Sequence, residues 1–157
     1  MDKRRFLSRF CIVMFTCMLM LPCCAKDVNG ADWRLYFKGT GDLLFFYEAD
    51  SINVLSNNII RVFTKGIPQD EEGRMREITY RRNKGVTVPD DWSYTIDLWE
   101  INCKNRTSKI LNVTSYTTNN EVISSTALSK HPSLEYISPD TMMEFLLKAV
   151  CTKKNLK

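Results

Sequence analysis

Two alternating runs separated by a short polar turn constrain the fold more than any other part of the chain. Residues 94–103 (YTIDLWEINC) and 109–116 (KILNVTSY) are rich in β-branched and aromatic side chains, which favour strands. The residues between them, 104–107 (KNRT), are polar and suited to a tight turn. The pattern therefore predicts an antiparallel hairpin near the middle of the chain.

The alternation in these runs also predicts which side chains share a face. Ile96 and Leu98 fall on one side of the first strand, and Trp99, Ile101 and Cys103 fall on the other. In the second strand we expect Leu111 and Val113 on one side, opposite Ile110, Asn112, Thr114 and Tyr116.

Four further runs complete a predicted sheet of about six strands. They are residues 32–38, 43–47, 59–65 and 121–126. In the first of them Trp33, Leu35 and Phe37 alternate with polar residues, which predicts that these three side chains share the buried face.

Two helices are predicted outside the sheet. Residues 69–84 place acids first, bases last and Gly85 after the end, which is the charge order that a helix dipole favours. This helix has a thin apolar stripe, so we expect it to be exposed and weakly anchored. A second helix ends near Cys151, and its start is predicted either at Ser138 with Pro139 or at a capping box of Thr141 and Glu144. The predicted fold class is α+β, an antiparallel sheet with the C-terminal helix packed on it and a charged helix inserted mid-chain.

The first 25 residues have the layout of a secretory signal peptide. Arg4 and Arg5 belong to a basic front, residues 10–21 are apolar except for Thr16, and small residues follow Pro22. The apolar run is too short to span a bilayer. We expect residues 1–25 to be the signal peptide, 26–31 a polar lead-in, 32–152 one domain and 153–157 a basic tail. Lipidation at Cys23 or Cys24 is an alternative to simple cleavage.

Removing this leader changes the charge of the chain. The whole chain carries a net charge of +4, but residues 26–157 hold 18 basic and 17 acidic residues. The exported part is therefore nearly neutral, and we expect no binding to nucleic acid.

The same removal reduces six cysteines to two, Cys103 and Cys151. An even pair in an exported chain favours one disulfide, with free or reactive thiols as the alternative. A zinc site would need more ligands than these two cysteines and His131, the single histidine of the chain, supply.

No catalytic, cofactor-binding or metal site is predicted. Asp90 and Asp91 lack the regular series of oxygen ligands that calcium requires. Glu100 is expected to form a cross-strand salt bridge, and His131 to lie in a surface loop.

Several segments together resemble the surface-adhesin protein E family. They are FFYEADSI, IIRVFTKGI, EINCKNRTSKILNVTSY, EVISST and YISPDTMMEFLLKAVC, within residues 33–151. The resemblance implies a twisted antiparallel sheet with a C-terminal helix packed on it, a cysteine bridge and a tendency to dimerise. It also implies an envelope protein, since the family includes an outer-membrane adhesin that binds host matrix proteins and haem.

These observations predict a non-enzymatic binding module of the bacterial periplasm or outer-membrane surface. Its partner would be a protein or a component of the host or environmental matrix, with a homodimer also possible and membrane contact only through a lipid anchor. Exposed aromatic residues such as Tyr36, Phe46 and Tyr94 would form the contact surface. The alternatives are a periplasmic protein with an inhibitor-like or weak hydrolase role, and haem binding through His131.

Overall fold

A computed structural model describes residues 30–56, 58–128 and 133–152. The chain divides between Gly30 and Ala31, and the fold below belongs to the unit that starts at Ala31. The predicted signal peptide (residues 1–25), most of the lead-in, His131 and the basic tail (153–157) lie outside the described residues.

The described chain forms eight strands and two α-helices. The strands are β1 (Trp33–Lys38), β2 (Leu43–Glu48), β3 (Asn53–Ser56), β4 (Ile59–Pro68), β5 (Trp92–Asn102), β6 (Thr107–Thr117), β7 (Val122–Ala127) and β8 (Glu135–Tyr136). The helices are α1 (Glu71–Asn83) and α2 (Met142–Val150), and a single 3₁₀ turn, Ala49–Ser51, joins β2 to β3.

All strand pairs are antiparallel and belong to one sheet with the order β1-β2-β4-β5-β6-β7. Strand β3 also pairs with β4, and β8 also pairs with β6. The sheet is therefore six strand positions wide, because β3 continues the edge begun by β2 and β8 continues the edge begun by β7. The predicted α+β class, the mid-chain helix and the C-terminal helix are confirmed.

Helix α2 covers one face of this sheet, which we call the helix face. Its side chains Leu146, Leu147 and Val150 pack against Ile60 and Ile101 in the main core. The pair Ile60–Ile101 belongs to a cross-strand row that continues with Val62–Trp99 and Thr64–Asp97. Directly opposed side chains lie on the same side of a sheet, so this row marks the helix face along β4 and β5.

Helix α1 packs on the helix face through a smaller cluster. Ile78 is fully buried there and packs with Val88 and Trp92. The helix begins after Asp70, whose Oδ1 accepts a hydrogen bond from Gly73 N at 2.7 Å. Ile78 is the one large apolar side chain of α1 that is buried, as the thin apolar stripe predicts. Arg74 and Arg82 also tie the helix to the chain entering β5, because they donate to the carbonyls of Trp92 and Val88.

The start of α2 decides between the two predicted caps. Thr141 is the N-cap, and its side chain accepts a hydrogen bond from Glu144 N at 3.4 Å. The alternative start at Ser138 with Pro139 is wrong, because both residues precede the helix as exposed coil. Glu144 Oε2 in turn accepts from Asp140 N at 3.0 Å, so the reciprocal bond of the capping box reaches one residue further back.

Both ends of α2 are tied to the β5–β6 turn. Cys103 follows β5 and Cys151 follows α2, and a disulfide joins them with their Cα atoms 5.6 Å apart. At the other end of the helix, Arg106 Nη2 donates to Glu144 Oε1 at 2.7 Å. Hydrogen bonds from Arg106, from the Asp140 backbone and from Lys148 lower the pKa of Glu144 to about 2.

Two β-bulges move side chains to faces that simple alternation does not predict. The strand register puts Trp33 and Leu35 on the side of the sheet away from the helices, and a bulge between Leu35 and Phe37 moves Phe37 to the helix face. The prediction of a shared buried face for Trp33, Leu35 and Phe37 is therefore wrong. A second irregularity lies opposite Leu98 and Trp99. It pairs Ile110 with Trp99 on the helix face, whereas we expected Ile110 beside Asn112.

Replacing both bridge cysteines should measure how much of the stability the disulfide provides. A loop of 48 residues corresponds to about 4 kcal/mol in the chain-entropy treatment. We expect Cys103→Ser/Cys151→Ser to lower the free energy of unfolding by up to this amount in urea titrations. Reduced wild-type protein is the matched control and should show a similar loss. Equal stability of oxidised and reduced protein, or rapid labelling of either thiol in the native state, would contradict this expectation.

Candidate functional site

The second face of the sheet carries no helix among the described residues, and we call it the open face. The strand register arranges its side chains in four cross-strand rows. The first two rows are Leu35, Phe46, Lys65, Ile96 and Thr114, and then Leu44, Ile67, Tyr94, Tyr116 and Val122. The other two are Phe63, Leu98 and Asn112, and then Arg61, Glu100 and Lys109. Leu35, Phe63 and Val122 are exposed, and most of the other members are half-buried. Exposed apolar side chains on several strands of one sheet face make this face the candidate contact surface.

Glu100 lies on the open face between two cations. Its carboxylate accepts from Arg61 Nη2 at 2.9 Å and lies 2.8 Å from Lys109 Nζ. Partial burial raises the pKa of Glu100, but the hydrogen bonds from Lys109 and Arg61 outweigh it and hold the pKa below its ordinary value. The predicted cross-strand salt bridge is confirmed.

Aromatic residues surround a lysine elsewhere on the same face. Tyr94 and Tyr116 stack with their ring centroids 4.8 Å apart. Lys65 Nζ lies 4.3 Å from the centroid of Tyr94 and 5.7 Å from that of Trp33. Both contacts fall within the range of a cation–π interaction.

The three aromatic residues predicted to form the contact surface separate in the structure. Phe46 and Tyr94 lie on the open face. Tyr36 does not, because it packs against the core beside Tyr47, and its assignment to the contact surface is wrong. Burial raises the pKa of the Tyr36 phenol well above its usual value, with a further contribution from Asp97.

Asp97 is a partly buried carboxylate on the helix face, near Arg81 of α1, that the sequence pattern did not single out. Its Oδ1 is buried and has no hydrogen-bond partner among the described residues, and the same holds for Trp92 Nε1. Arg81 stacks over the Trp92 ring at 4.4 Å and pairs with Glu77. Its guanidinium therefore makes its close contacts with these two groups and forms no ion pair with Asp97 within the described residues. Burial raises the pKa of Asp97 to about 6, against a lowering effect of Arg81.

The two outer edges of the sheet differ in their protection. Strand β1 carries Arg34 and Lys38 and lies beside α2, where the rings of Phe37 and Phe145 are 5.3 Å apart. Strand β7 (VISSTA) has no charged side chain and pairs on one side only, with β6, within the described residues. An uncharged edge strand of this kind is open to pairing with another chain.

A shallow groove of about 390 Å³ separates α1 from the β1–β2 turn. Its charged side chains are committed to ion pairs, since Arg76 contacts Asp42 and Glu72, and Glu77 contacts Arg81. Asp90 likewise pairs with Arg82 at 2.8 Å in the loop before β5.

Neither a cluster of metal ligands nor a membrane-spanning helix occurs in the described ranges. Nowhere in them do three or more His, Cys, Asp or Glu side chains cluster so as to hold a metal ion. None of the helices described here has the length and apolar character needed to cross a bilayer.

One face of the sheet is closed by a disulfide-tethered helix, and the other is left open within the described residues. The family model for the surface-adhesin protein E matches residues 33–152, and the chain belongs to this family. Membership implies an exported, surface-exposed and adhesin-like protein. Comparison with curated proteins and with solved structures gave no significant match.

The partly buried carboxylate predicts an unusual pH dependence of stability. Because the pKa of Asp97 rises from 3.8 to about 6 on folding, the folded protein binds the proton more tightly, and this group lowers stability as pH increases through that interval. We expect Asp97→Asn to remove this loss and to be more stable than wild type by up to roughly 3 kcal/mol at about pH 7, with little difference at about pH 4. Urea titrations across this range measure the effect.

The matched control is Asp91→Asn, which removes an exposed carboxylate from the loop before β5. It should leave the slope of stability against pH unchanged. A stability difference between Asp97→Asn and wild type that stays constant with pH would show that folding does not raise the pKa of Asp97.

Proposed function

We propose that this protein is a non-enzymatic envelope or surface protein whose open face binds a protein partner. The observation that carries the proposal is the contrast between the two faces. Helices α1 and α2 cover one face, while the other presents Leu35, Phe63 and Val122 to solvent beside half-buried aromatic rings. Partners in keeping with the family are components of the host or environmental matrix.

Export is the second part of the proposal. Residues 1–25 act as a signal peptide, 26–31 are a lead-in, 32–152 form the domain and 153–157 are a basic tail. The protein then acts in the bacterial periplasm or at the outer-membrane surface, and a lipid at Cys23 or Cys24 would be its contact with the membrane. The near neutrality of residues 26–157 supports a protein partner over nucleic acid.

A homodimer through β7 is compatible with this function. Antiparallel pairing of two β7 strands about Ser124 and Ser125 opposes neutral side chains, so no like charges meet. Sedimentation equilibrium of wild type and Ser125→Lys tests it. A concentration-dependent dimer that the lysine abolishes supports pairing at this edge, and a dimer that survives it excludes this edge.

A hydrolase that used Glu100 would need this carboxyl group free to exchange protons near a substrate. Glu100 is instead held as a carboxylate between Arg61 and Lys109. This geometry suits a cross-strand tie, and it favours binding over hydrolysis.

Substitutions on the open face should weaken partner binding, whereas matched ones on α1 should not. Leu35→Ser/Phe63→Ser removes two exposed apolar side chains from the open face. Met75→Ser/Tyr80→Ser removes two from the outer side of α1. Against immobilised fibronectin, laminin and collagen, we expect the first variant to bind about tenfold or more weakly, since each lost contact removes buried apolar area.

Surface plasmon resonance with micromolar protein provides this measurement, and circular dichroism confirms that each variant is folded. Equal weakening by both variants would place the contact elsewhere than on the open face. Failure of wild type to bind any matrix protein would count against a matrix partner.

A further inference from the structure

Lys65 differs from the other cations at the centre of the open face. Arg61 and Lys109 both pair with Glu100. Within the described residues the ammonium group of Lys65 pairs with no carboxylate, and its contacts are the rings of Tyr94 and Trp33. The centre of the face thus holds one carboxylate shared by two cations and, four residues along β4 from Arg61, a further cation without a counter-charge.

The register places apolar side chains on both sides of Lys65. Its direct cross-strand neighbours are Phe46 on β2 and Ile96 on β5. Phe63 and Ile67 precede and follow it on the same side of β4, because alternate residues of a strand share a face. A positive charge is therefore enclosed by apolar and aromatic surface.

Glu48 is the carboxylate on β2 that shares the open face with Phe46, the neighbour of Lys65, but it already accepts hydrogen bonds within the fold. Glu48 is 8 % exposed, and its Oε1 accepts hydrogen bonds from Asp32 N at 3.0 Å and Asp50 N at 3.1 Å. Burial meanwhile lowers the pKa of Lys65, which shows that the surroundings disfavour its charge. A carboxylate brought by a partner would supply the counter-charge that the fold does not.

We propose that Lys65 is the anchor of the binding site on the open face and that it pairs with a carboxylate set in an otherwise apolar protein surface. The inference rests on the proposed function, since it requires that the open face is the docking surface. The apolar neighbours exclude water around the new ion pair, and hydrogen bonds to charged groups are stronger where water is excluded. Tyr94 and Trp33 hold the ammonium group in position for it.

A lysine in an apolar strand also has a protective use, because a charge discourages sheet-to-sheet association. The two roles differ in what they predict for recognition. A protective charge needs no particular residue on a partner, whereas an anchor distinguishes a partner that has a carboxylate from one that has the neutral amide.

Closed β-hairpin peptides provide the probe. One side of each hairpin carries Val and Phe around a central residue, which is Glu, Gln or Lys in three otherwise identical peptides. With the purified exported protein in isothermal titration calorimetry, we expect the Glu peptide to bind about tenfold more tightly than the Gln peptide, as suits one charge-assisted pair shielded from water. The preference should weaken as salt is added.

Variants of Lys65 then test the anchor itself. Lys65→Gln should abolish the preference for Glu over Gln, Lys65→Arg should retain it, and Lys65→Glu should transfer it to the Lys peptide. Lys104→Gln is the matched control, because it removes one positive charge from the exposed β5–β6 turn and should leave the preference unchanged.

Three results would overturn the inference. These are equal binding of the Glu and Gln peptides by wild type, a preference that survives Lys65→Gln, and no binding of any peptide. Increased self-association of Lys65→Gln with an unchanged preference would assign the protective role instead. Matrix binding that Leu35→Ser/Phe63→Ser weakens and Lys65→Gln leaves intact would reject the anchor while the proposed function stands.

Discussion

The attachment of α2 to the β5–β6 turn is the interaction on which the rest of the structure depends. The disulfide of Cys103 and Cys151 holds the end of the helix, and the Arg106–Glu144 pair holds its start. A helix of nine residues fixed at both ends buries Leu146, Leu147 and Val150 against the central strands. Both covalent and ionic ties act on one side of the sheet, so they select which face becomes the core.

The open face must then be stable without a covering layer. It achieves this by pairing side chains laterally, as in the stack of Tyr94 on Tyr116 and the row of Arg61, Glu100 and Lys109. Such rows leave the outer surface of each side chain free for contact while its flanks are buried. The same architecture that requires a tethered helix on one side therefore provides a broad, preorganised surface on the other, as an adhesin-like protein needs.

Much of the fold could be predicted because alternation and turn chemistry act locally. The long strands β4, β5 and β6 and both helices were found from these signals. Strands β3 and β8 were missed, since four and two residues are too few to show a period. The face of Phe37 was assigned wrongly, because a bulge adds a residue without changing the local composition, and alternation alone did not show which side of β1 faces the core.

The site was harder to predict, and Lys65 and Asp97 show why. Both are single charged residues within alternating strands, and they lie on neighbouring strands β4 and β5. The register pairs Lys65 with Ile96 and Thr64 with Asp97, so adjacent positions of these strands point to opposite faces. Asp97 lies on the helix face with its Oδ1 buried, and Lys65 lies on the open face, a difference set by which side of the sheet the helices cover. Local sequence identifies a charged residue in a strand. Only the tertiary arrangement decides whether that charge is buried and destabilises the core or stays exposed on the surface.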